Sequence, residues 1–201
     1  MGKNKRNRQR KKIIFIAREG IREEKFLCYL QELFDPERTI TLKFPPEYGG
    51  NSNKILDRAI KSFYSINYAW FDEDNALDEE HRESLKSLWG IDEIPENLKD
   101  SELQTLNVKN KNPIIIVSHP LSVEGILIRL FDKNMPKLEI PIDSPENFEK
   151  NKNRMKSAVD GFIKNGDIEF YRQNLSKSLI LEKAAVIDEL KLLLTIFDKD
   201  I

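Results

Sequence analysis

Apolar positions along the chain keep two rhythms. Four short runs, IIFIA (13–17), TITLKF (39–44), NYAWF (67–71) and PIIIVSHP (113–120), are rich in β-branched and aromatic residues. They are too short for helices, so the pattern predicts buried strands near 13–17, 40–44, 67–71 and 114–117. Between them the period lengthens. In IREEKFLCYLQELF, residues Phe26, Leu27, Leu30, Leu33 and Phe34 recur at helical spacing until Asp35-Pro36 closes the segment. EYGGNSN is a loop whose Asn51 or Ser52 can cap the helix KILDRAIKSFYSI. A polar helix is expected over 77–89, an irregular proline-bearing stretch over 90–112, and a helix in LSVEGILIRLF. From Pro145 the pattern is all helical, and LILEKAAVIDELKLLLTIF reads as one amphipathic helix over 179–197.

Strands alternating with helices imply parallel crossover units. The expected fold is therefore α/β: a small, mostly parallel four-stranded sheet with helices on both faces and a C-terminal helical extension. The expected organisation is a basic tail over 1–12, an α/β domain over 13–144, and a helical extension over 145–201 that packs on the domain or on a partner.

Composition adds constraints. With 39% hydrophobic and 33% charged residues, the chain reads as soluble and globular, and no apolar run reaches membrane-spanning length. The N-terminus lacks the apolar segment of a secretory signal. The single cysteine, Cys28, excludes an internal disulfide framework, fits a cytoplasmic location and reads as a core filler. The net charge of -1 conceals a basic run, Lys3, Lys5, Arg6, Arg8, Arg10, Lys11 and Lys12. Such a run either holds a nucleic-acid backbone, with Lys11 and Lys12 nearest the domain, or is a solvated tail.

The candidate chemistry lies where the strands end. In an open parallel sheet, ligands bind outside the carboxyl ends of the strands. The first strand ends at Glu19 and Gly20, the third at Asp72, Glu73 and Asp74, and the fourth at Ser118-His119-Pro120, with Glu124 a turn further on. Glu24, early in the first helix, could join them. Along an extended backbone Asp72 and Asp74 share a face while Glu73 points away. Gathered carboxylates repel unless a cation or proton sits between them. Oxygen ligands suit Mg²⁺ (or Mn²⁺), whereas one cysteine and two histidines, His81 and His119, are too few for the usual zinc sets. Taken singly, each acid can also be a helix cap or a solvated side chain, and Glu23 and Glu73 are read as solvated. Arg18 and Arg22 flank Glu19 and could neutralise phosphate, or be plain surface. His119 could contact phosphate, or be structural. No G-x-G-x-x-G or G-x-x-x-x-G-K-[ST] motif is present, which argues against a nucleotide-binding module.

Glu19, Gly20 and Glu24 after the first strand, Asp72 and Asp74 after the third, and Ser118, Pro120 and Glu124 after the fourth resemble the Toprim-like domain of the RloB-like proteins. YGGNSNKILDRAI also looks like that family's loop and second helix, and the likeness spans 13–131. The sequence departs from the family pattern at Glu23, His119 and Ile126. The resemblance implies a small Rossmann-like sheet, Mg²⁺ on Asp72 and Asp74, and Glu19 as catalytic acid, base or further ligand, with Glu24 and Glu124 as candidate ligands. It also implies a role in bacterial anti-phage defence, of the abortive-infection kind, beside a separate ATPase of the AAA or ABC type. The expected function is a metal-dependent nuclease, a hydrolase cutting RNA such as tRNA, or DNA. Two cations would hold the scissile phosphate, activate water and stabilise the leaving oxygen. The alternative is a catalytically silent module that docks on an ATPase through the 179–197 helix. Either reading allows a homodimer, and neither involves a membrane.

Overall fold

The computed structural model describes residues 11–73, 77–96, 98–107, 111–131, 148–163 and 167–198. Asp74, the residues before Lys11 and the expected domain boundary at 144/145 lie outside them. Four strands form one sheet: β1 (Lys12–Arg18), β2 (Ile40–Lys43), β3 (Asn67–Asp72) and β4 (Ile114–Ser118). The order is β2-β1-β3-β4 and every pairing is parallel, the predicted Rossmann-like α/β arrangement. The connecting helices are α1 (Ile21–Phe34), α2 (Ser52–Ile60), α3 (Glu79–Trp89), the single turn α4 (Asp100–Leu103) and α5 (Val123–Phe131). Among the described residues four more helices follow: α6 (Phe148–Phe162), α7 (Asp167–Asn174), α8 (Lys177–Ala184) and α9 (Asp188–Thr195). Among the described residues no helix is long and apolar enough to cross a membrane.

Strand parity sorts the core into two layers. Ile14 and Ile16 of β1, Tyr68 and Trp70 of β3 and Ile116 of β4 pack with α1, α5 and the later helices. Ala17, Ala69, Phe71, Ile115 and Val117 face α2, α3 and α4. The inner strand β3 is buried at every position. Asn51 caps α2 by accepting the Lys54 N–H, as expected.

Two expectations need correction. Residues 179–197 are not one helix: the chain turns over 185–187, between α8 and α9. Both apolar stripes are buried in this chain's own core, through Ile180, Ala184, Ile187, Leu190, Leu193, Leu194 and Phe197. Leu181 and Val186 remain exposed on this stretch. Lys12 is also no part of a tail; it opens β1, and its ammonium lies 2.6 Å from Asp198.

Candidate functional site

The strand order creates a topological switch point. From β1 the chain runs through α1 to β2, on one side; from β3 it runs through α3 to β4, on the other. The helices leaving these neighbouring strands cover opposite faces, so a crevice opens between the ends of β1 and β3. Glu19 and Asp72 stand there. Asp72 closes β3 opposite Ser118 of β4, and its backbone N–H donates to Glu19 Oε2 at 3.4 Å. Its Oδ1 accepts the Val123 N–H at the start of α5 at 3.2 Å. Glu19 and Asp72 line a cleft of about 220 Å³ together with Gly20, Arg22, Glu124 and Lys156.

A residue absent from the sequence reading supplies the charge between them. Lys152 of α6 places its ammonium 2.8 Å from Asp72 Oδ2 and 3.6 Å from Glu19 Oε1. Asp72 is 3% and Lys152 is 7% exposed, so this pairing is made away from water. Burial, and then the charge of Glu19, push the Asp72 carboxyl well above the usual carboxylate range, against the pull of Lys152. Glu19 and Asp72 thus share one cation, an ammonium, where the sequence reading expected a divalent metal ion.

The other predicted residues divide. Glu124 reaches the cleft, but it pairs with Arg22 and accepts the Ser122 hydroxyl at 2.7 Å. Arg22 also pairs with Asp160 of α6 and, at 3.4 Å, with Asp167 of α7. It thereby ties α1 to α5, α6 and α7, and these anions hold its guanidinium firmly charged. Glu24 does not line the cleft; it pairs with Arg18. Arg18 is 1% exposed, which corrects its reading as surface. His119 also turns away, its Nδ1 lying 2.9 Å from Glu73 Oε2, and this bond raises its pKa. Lys11 is exposed at the edge of β1. Cys28 is half-buried in α1, and burial pushes its thiol up, away from the reactive form.

The expectation that Glu23 and Glu73 are solvated fails. Glu73 accepts the Leu121 N–H at 3.3 Å as well as facing His119, and so pins the loop after β4. Glu23 is 3% exposed and lines the cleft. Burial raises its carboxyl to about 7, helped by the charges of Glu124 and Glu19.

Among the described residues no group of three or more His, Cys, Asp or Glu side chains is placed to hold a metal ion. Glu19 and Asp72 offer hard oxygen donors, the ligand type that Mg²⁺ takes. One or two carboxylates are what that ion usually takes from a protein. No family model, no curated protein and no solved structure matches the chain.

Proposed function

We propose that the Glu19–Asp72 crevice is the active site of a metal-dependent, Toprim-like nuclease. The observation that carries this reading is the sharing of one buried ammonium by two strand-end carboxylates at the switch point of the sheet. Carboxylates are rarely brought together away from water unless a cation is part of the design. Asp72 and Glu19 would hold Mg²⁺ or Mn²⁺, and Asp74, two residues beyond β3, would complete the set.

A divalent cation there would polarise a phosphoryl oxygen and favour an attacking water. The rest falls to the chain. The Val123 N–H fixes the direction of Asp72. Lys156, lining the same cleft, offers a positive charge to the non-bridging oxygens of a phosphodiester. Glu19 accepts a proton or serves as a ligand, according to the occupancy of the cation position. The anti-phage role and the partner ATPase come to this chain from the resemblance alone, and co-purification with neighbouring gene products tests them.

The decisive experiment is cleavage of transfer RNA, single-stranded DNA and plasmid in Mg²⁺, by the parent chain and by Glu19→Ala. The expected result is cleavage by the parent and its loss in the variant, with the melting temperature preserved. Equal cleavage by both would remove the activity from this crevice. One observation favours a second reading, a silent binding module: Lys152 already offsets one of the pair's two charges, and a carboxylate site with its own cation can persist without catalysis. Metal binding without cleavage of any substrate, every partner being present, would select it.

A further inference from the structure

Arg18 ends β1 on the same face as Ile14 and Ile16. Its guanidinium carbon lies 5.0 Å from the ring centre of Phe44 and 4.7 Å from that of Tyr48. One nitrogen, Nη2, pairs with Glu24; Nε and Nη1 are buried with no hydrogen-bond partner. Orphaned donors of this kind are costly. What the guanidinium has in exchange is two aromatic faces.

Tyr48 is the outer of those rings and is 57% exposed. Its loop is held in place. The Gly49 N–H donates to the Glu19 carbonyl at 2.6 Å, and the Gly49 carbonyl accepts from Arg58 Nη1 at 2.7 Å. Gly49 and Gly50 have φ of 76° and 115°, values that suit glycine. A solvent-facing aromatic ring, backed by a buried cation, is thus fixed one residue from a backbone contact with Glu19. Another exposed aromatic, Phe63, is 89% exposed but precedes β3, at the end of the sheet away from the cleft.

Aromatic rings and arginine planes are the surfaces on which unpaired bases stack. Bases within a duplex have both faces covered by their neighbours and cannot use such a surface. We propose that Tyr48, backed by Arg18, stacks an unpaired base of the strand whose phosphate lies at Glu19 and Asp72, so that the site takes single-stranded nucleic acid. The path of the strand rests on the nuclease reading; the stacking platform itself is open to a separate measurement.

That measurement is fluorescence anisotropy with labelled oligo-dT, oligo-U, their duplexes and an abasic oligomer, in Mg²⁺, with the full chain carrying Glu19→Ala to block cleavage. Adding Tyr48→Ala should weaken single-strand binding about tenfold, or ~1.4 kcal/mol. Tyr48→Trp should restore it, and abasic binding should not respond to either change. Preference for oligo-U or for oligo-dT assigns RNA or DNA, and either supports the platform. Binding unaffected by Tyr48→Ala, tighter binding of duplex, or no binding of any oligomer would overturn it. Cleavage by the parent chain with binding indifferent to Tyr48 leaves the nuclease and removes the platform. Binding that depends on Tyr48, without cleavage by the parent, does the reverse.

Discussion

Replacing Lys152 by methionine keeps the apolar stem and deletes the ammonium shared by Glu19 and Asp72. At 2.8 Å the Lys152–Asp72 attraction is gross about 6 kcal/mol for an effective dielectric constant near 20. Desolvation of both ions cancels much of this, so the pair adds little net stability. Removing one partner is another matter. It strands a buried carboxylate beside a second one, and such changes cost roughly 3–5 kcal/mol. In a chain of this size each kcal/mol moves the melting temperature by about 2–4 °C, so Lys152→Met should melt roughly 6–20 °C lower in EDTA. Two further measurements make the argument specific. Adding Asp72→Asn to Lys152→Met should recover most of the loss, because the double variant buries one charge fewer. Adding Mg²⁺ should also recover part of it, by about 2.7 kcal/mol at a hundredfold excess over Kd, if the vacated position accepts a divalent cation. Melting of Lys152→Met within about 2 °C of the parent would refute the reasoning at its root, since the ammonium would then not be what holds the carboxylates together.

Asp72→Asn alone should abolish any rise in melting temperature on adding Mg²⁺ or Mn²⁺; an unchanged rise would place the bound ion elsewhere. Glu23 binds its proton more tightly folded than unfolded, so between about 4.5 and 7 the native state carries the excess proton and stability falls as pH rises. The loss is roughly 3 kcal/mol. Glu23→Gln should flatten this slope in urea titrations across that window, and an unaltered slope would show that another group titrates there. A Cβ on Gly125 of α5 would stand 2.1 Å from the Pro120 carbonyl oxygen, 2.8 Å from Pro120 Cδ and 3.0 Å from Met155 Cε. Gly125→Ala should therefore cost about 3 kcal/mol or more, read as a lower urea midpoint, whereas a midpoint equal to the parent's would mean that the loop after β4 yields freely.

The sheet was legible because its strands are short apolar runs between helical patterns, and parity alone separates the Ile14–Ile16 face from the Ala17 face. The same parity could have revealed Arg18 as buried, since it falls in step with Ile14 and Ile16; its charge instead left it between a phosphate contact and plain surface. Glu19 and Asp72 were readable from position, each following a buried strand. Lys152 was not. It lies in a polar stretch, EKNKNRMKS, where one more lysine reads as solvated. The available signal was its spacing: it precedes Met155 by three residues and Val159 by seven, and so occupies a slot in that helix's apolar stripe. Glu23 escaped for a similar reason, because nothing in its neighbourhood along the chain announces Glu124 in the same cleft. The single helix expected over 179–197 failed because its apolar rhythm continues through a turn at 185–187; periodicity reports which residues face the core, and not whether the axis stays straight.

The late helices have a consequence for the birth of the protein. Chains emerge from the ribosome N-terminus first, and domains close as their parts become available. All four strands, with both strand-end carboxylates, are made by Ser118, yet the layer over Ile14, Ile16 and Trp70 needs Tyr171, Leu175, Leu190 and Phe197. The ammonium that quiets Glu19 and Asp72 arrives with α6, before that layer can close. An unfinished chain therefore has an open sheet, and the crevice gains its internal cation only with α6. If this crevice cuts nucleic acid, the order of synthesis would protect the messenger that encodes it, and truncations that stop before α9 should be insoluble rather than toxic.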